Sequence, residues 1–182
     1  MKNLLLLLAV LAVGCVSSRR AATTVPTDFF GRLGALCNQT YRGKAVFPEG
    51  GKDPFAGQLL LMRVQSCSDT EIRVPFQVGE NKSRTWVFTK SPQGLLLKHD
   101  HRHPDGTPDS VTMYGGYAKA GGTAYRQSFP ADDYTAKLLP AAATNEWETV
   151  LSEDQKTFSY ILKRGGQLRF QADFDLTQPV VQ

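Results

Sequence analysis

The chain predicts an all-β protein, an antiparallel meander of about ten strands closed into a barrel, with one short helix at the front. Three observations predict it. Apolar residues recur at every second position, most cleanly at Ile72, Val74, Phe76 and Val78, which is the period of a strand with one buried face. The apolar runs are separated by short turn sequences: Ser91-Pro92-Gln93-Gly94, Pro104-Asp105-Gly106 and Gly165-Gly166. Helical spacing occurs only near the start. Short turns force antiparallel neighbours, and so long a meander must close or split to hide its edges.

Asp28 is placed to cap a helix of about ten residues, with Phe29, Phe30, Leu33, Leu36 and Cys37 on one stripe. Strands are expected at 41–47, 58–65, 71–78, 83–90, 95–103, 111–117, 123–129, 146–151, 157–164 and 168–175. The last two pair across Gly165-Gly166, a two-residue hairpin signal. If Pro92-Gln93-Gly94 is a three-residue loop, Ser91 faces Leu95, Val87 opposes His99 and Thr85 opposes His101.

Residues 1–27 read differently. Lys2 and the apolar run Leu4 to Val13 form a signal peptide over 1–14, too short to span a bilayer. Val16 to Thr27 is polar and aperiodic, so 15–27 reads as a tether and 28–182 as one domain. The whole chain carries +4, but residues 28–182 hold 18 basic against 17 acidic residues. No basic domain is left for a nucleic-acid partner. Cys37 and Cys67 form an even pair and are expected to join in a disulfide; two buried thiols are the alternative.

Leu11-Ala12-Val13-Gly14-Cys15 resembles the bacterial lipobox, with Ala12 where leucine is usual. The resemblance implies lipidation of Cys15 and anchoring to a membrane of the cell envelope, facing the periplasm or the cell surface. Ala12-Val13-Gly14 also suits ordinary secretion. The domain is similar in pattern to calycin-type barrels: lipocalins, fatty-acid-binding proteins and nitrobindin-like domains. The lipocalin Gly-x-Trp is absent; Gln39 to Gly43 is its nearest counterpart. The stretches Arg84-Thr85-Trp86-Val87 and His99-Asp100-His101-Arg102-His103 also resemble an uncharacterised family of proteobacterial exported proteins, a likeness that supplies no function.

Two constellations bear chemistry. His99, His101 and His103 are all the histidines, and they alternate, so an extended strand puts them on one face. Two of them, with the third or Asp105 as a further ligand, would suit Zn²⁺ or Cu²⁺. The alternative is a polar strand end beside a turn. Leu95 and Leu97 continue this face and favour it as the inner one. The other expected group is Arg84, Trp86, Asp100 and Arg102, which on one inner face would bind an anionic ligand and on an outer face would be a salt-bridge cluster. A register slip of one residue exchanges these readings. No nucleophile motif or phosphate loop appears. The expectation is an envelope protein that binds a small molecule or lipid without catalysis. A structural or interaction role at the envelope, or metal binding, are the alternatives.

Overall fold

The computed structural model describes residues 28–47 and 55–180. The expected signal peptide, Cys15 and the expected tether lie outside the described residues. Within them the chain is mostly strand, arranged as a nearly closed antiparallel barrel of ten strands. In chain order the elements are α1 (Phe29–Gly34), β1 (Thr40–Phe47), β2 (Leu60–Arg63), β3 (Ser66–Cys67), β4 (Glu71–Val78), β5 (Asn81–Ser91) and β6 (Gly94–His101). There follow β7 (Tyr114–Tyr117), β8 (Arg126–Pro130), α2 (Asp133–Leu138), a 3-10 turn (Pro140–Ala142), β9 (Asn145–Leu151), β10 (Thr157–Arg164) and β11 (Gln167–Asp175). All ten expected strands are present; β3, α2 and the 3-10 turn are additions.

Around the barrel the order is β7-β6-β5-β4-β2-β1-β11-β10-β9-β8, with β3 a short extra partner of β4. The first and last strands close one side through the β1–β11 ladder. The remaining seam lies between β7 and β8. It is crossed by the Lys119 N–H to Ser128 carbonyl bond at 2.9 Å and covered by the start of α2. There the Asp132 N–H donates to the Gly115 carbonyl at 2.9 Å. The Thr135 hydroxyl accepts from the Gly115 N–H at 2.7 Å and gives its proton to the Gly115 carbonyl or the Asp132 carboxylate, each 2.8 Å away. Backbone groups that a ladder would have paired are thus satisfied by one buried side chain.

The inner face is apolar and aromatic. One end of the barrel is filled by α1, capped by the Asp28 carboxylate on the Gly31 N–H at 2.7 Å. Phe29 and Phe30 bury there, and Phe29 meets Phe88, which meets Phe129, at 6.2 and 6.0 Å between rings. The outer face is charged. Asp100 lies between Arg73 and Arg102, and Glu148 between Arg126 and Lys163. Both carboxylates are almost fully buried at the barrel wall, and each has two cations. No helix among the described residues is long and apolar enough to cross a membrane.

Cys37 and Cys67 are joined, with Cα atoms 6.3 Å apart and a sequence separation of 30. The bond ties the segment after α1 to β3. Reducing it, or replacing both cysteines by serine, is expected to cost about 2–4 kcal/mol. Urea unfolding with and without reductant checks this; an unchanged midpoint would mean the loop gains nothing from closure.

The expected β5–β6 register is off by one. Only Pro92 and Gln93 form the loop, and Ser91 pairs with Gly94. Trp86 therefore opposes His99, Arg84 opposes His101 and Thr85 opposes Asp100. Gly94 can enter the ladder because its φ of +122° carries no side-chain penalty. The Ser91 hydroxyl also closes the turn, accepting from the Gln93 N–H and donating to the Gly94 carbonyl.

Candidate functional site

The end opposite α1 holds a cavity of about 400 Å³. Its position follows from the strands. Each inward side chain takes its place by alternation, and at this end the inward residues are no longer only apolar. β5 contributes Arg84 and Trp86, β6 His99 and His101, β7 Tyr114, β9 Asn145 and Trp147, and β10 Tyr160, Leu162 and Arg164. Arg169 and Phe170 of β11, Phe55, Phe76 and the segment Leu139 to Ala142 complete the wall.

The floor is a set of stacked rings. Phe76, Trp86 and Tyr160 lie face to face, with centroids 4.7 and 4.4 Å apart and planes tilted by 22° and 13°. His99 stacks on Tyr114 at 4.6 Å and 10°. These contacts add about 0.5–1.5 kcal/mol each to the burial itself.

His99 is only 3% exposed, and both its ring nitrogens are used. Nδ1 lies 3.0 Å from the Tyr114 carbonyl, which can only accept, so Nδ1 carries the proton. Nε2 then accepts from the Tyr160 hydroxyl at 2.7 Å. Burial drives the His99 pKa down to about 3, against the Tyr114 carbonyl that favours the charged form. Burial also pushes the Tyr160 hydroxyl well above its ordinary value and that of Tyr114 up to about 12. His101 lies 3.0 Å through Nε2 from the Tyr114 hydroxyl, and burial, then the nearby Arg84 charge, lowers its pKa. At neutral pH this wall is uncharged except for its arginines.

The sequence-derived sites are placed as follows. His99 and His101 share the inner face, as Leu95 and Leu97 suggested. His103 does not join them: it lies past the end of β6, exposed, its N–H bonded to the Thr107 carbonyl. Asp105 is exposed and accepts from Thr107. Among the described residues no group of three or more His, Cys, Asp or Glu is placed to hold a metal ion. The expected His99–His101–His103 or Asp105 ligand set is therefore not assembled, because the strand ends before His103 and the free lone pair of His99 is taken by Tyr160.

The expected group Arg84, Trp86, Asp100 and Arg102 is also divided. Alternation sends Arg84 and Trp86 inward and Asp100 and Arg102 outward. Burial alone would raise the Asp100 carboxyl, but hydrogen bonds from Arg102 and Arg73 outweigh it and hold the pKa below the usual value. The cavity thus combines half of each expected constellation: Arg84 and Trp86 with His99 and His101. The walls from β9 to β11 were not anticipated. Their signal was available in the alternation of Trp147 with Asn145, and of Tyr160 with Leu162 and Arg164.

No protein-family model matches the chain, and no curated protein matches it.

Proposed function

We propose that this is a lipid-anchored cell-envelope protein whose barrel binds a small molecule or lipid and performs no chemistry on it. The observation that carries the reading is the cavity, about 400 Å³ at one end of a barrel whose other end is filled by α1 and its buried phenylalanines. A concave site of this size, walled by aromatic and aliphatic side chains with polar groups converging on it, is the usual form of a small-molecule site. Its histidines are held neutral and engaged with tyrosines, an arrangement that rigidifies a wall rather than supplying a base. The Cys37–Cys67 bond is in keeping with an oxidising compartment. The lipobox-like residues Leu11 to Cys15 supply the anchor in this reading.

Two measurements test it. Native mass spectrometry of the protein purified from its host is expected to show one organic ligand that leaves on denaturation; repeated preparations without any adduct would count against binding. The mass of the mature N-terminus is expected to place a lipid on Cys15. An unmodified amine and thiol there would remove the anchor from the proposal.

A further inference from the structure

Resting on the ligand-binding reading, we infer that the cavity takes a compact aromatic anion, with its acid group on Arg84 and its rings against the stacked floor. The charge balance points this way. Arg84, Arg164 and Arg169 line the cavity, and among the described residues no aspartate or glutamate does. Arg164 bonds to the Asn145 side-chain carbonyl at 2.8 Å and Arg169 to that of Gln167 at 3.2 Å. These neutral partners fix the side chains without cancelling their charge. On the outer wall the opposite holds, since Asp100 and Glu148 each meet two cations.

Arg84 is the sharpest case. Its Nη1 is buried without a hydrogen-bond partner, while its guanidinium carbon sits 5.2 Å from the centre of the Phe55 ring. An unmade buried donor costs about 1–3 kcal/mol, more on a charged group. A planar acid group arriving from the cavity would recover that cost through charge-assisted bonds. His99 and His101 do not compete for the anion's charge, because both are held neutral.

Shape decides the rest of the ligand. Phe76, Trp86, Tyr160, Trp147 and Phe170 form a stiff wall, packed ring on ring and nearly buried, that meets a ligand over small fixed areas. Flat rings meet such walls by offset or edge contacts without losing rotamer freedom, whereas a flexible acyl chain must be ordered.

The test uses the purified full chain and three probes: 1-anilinonaphthalene-8-sulfonate, N-phenyl-1-naphthylamine, which has the same rings and no acid, and dodecanoate. Both tryptophans of the chain, Trp86 and Trp147, line the cavity, so energy transfer from tryptophan reports binding, and its loss on substitution of Arg84 places that binding in the cavity. The sulfonate is expected to bind once per chain, about tenfold or more tighter than the neutral amine, and dodecanoate to displace it poorly. Arg84→Gln should weaken the sulfonate by about tenfold while changing the amine by about twofold at most. If Arg84→Gln does not fold, Arg164→Gln/Arg169→Gln and a rise from about 0.01 M to about 1 M salt should each weaken the sulfonate selectively. Equal binding of sulfonate and amine, or displacement by dodecanoate as effective as by the sulfonate itself, would overturn the inference but leave ligand binding standing. If no probe reaches the tryptophans, the ligand-binding reading falls as well.

Discussion

Gly116→Ala is expected to destabilise the barrel by about 3 kcal/mol, among the largest effects of a single methyl group at the described glycines. A Cβ at Gly116 would stand 2.0 Å from the Pro130 carbonyl oxygen and 3.2 Å from the Asp132 nitrogen. Both are backbone atoms, fixed by β8 and the start of α2, so neither can swing away. The seam would have to open, and the Thr135 hydroxyl would lose its hold on Gly115. Gly165→Ala is the control. It also adds one methyl, at a φ of +57°, but into open space with nothing within 4 Å. It should cost only the left-handed backbone penalty, about 1–2 kcal/mol. Urea unfolding of the two variants separates the cases; equal losses would mean that the seam yields easily and does not constrain the fold.

Acid should remove stability through His99 well before the carboxylates titrate. The folded pKa of about 3 lies below the ordinary value of 6.5, so the unfolded chain binds the proton more readily. The contribution is complete above pH 6.5 and drains away as the pH falls toward 3. By pH 4.5 the loss should amount to about 3 kcal/mol, at 1.36 kcal/mol per unit. His101, also lowered, acts in the same direction. Asp100, held below its ordinary 3.8, loses stability only in the more acid range. Unfolding free energy measured from pH 7 to pH 4.5 should therefore fall steeply in the wild type and less steeply in His99→Gln. Parallel profiles would show that the Tyr114–His99–Tyr160 arrangement does not bury a neutral imidazole.

The strands were legible because a barrel wall imposes a period of two, and Ile72, Val74, Phe76 and Val78 obey it without exception. The disulfide was legible because two cysteines remained after Cys15. The partners across β5 and β6 were not, because Pro92-Gln93-Gly94 suits a two-residue and a three-residue loop equally well. One residue of uncertainty there changes which side chain stands beside which, although it leaves the faces of each strand intact. α2 was missed because six residues, Asp133–Leu138, are too few to show a helical stripe, and only Thr135 among them is buried. The cavity was half legible. Its β5 and β6 wall lay within one sequence neighbourhood, but Trp147, Tyr160 and Arg169 reach it only through closure of the barrel.

That closure depends on the β1–β11 ladder, which pairs Gly43 with Phe174. Nearly the whole domain lies between these partners. A nascent chain emerging from its N-terminus can zip β4, β5 and β6 as they appear, but β1 has no final neighbour on its far side until the last strand is made. Until then the hydrophobic inner faces of β2 and β4 remain open to solvent, and β1 presents an unpaired edge. Loop closure across so long a span is slow compared with hairpin formation. Truncation within β11 should therefore leave a chain with native-like local strands and a persistent tendency to associate through β1, because the final strand is the molecule's own protection against edge pairing.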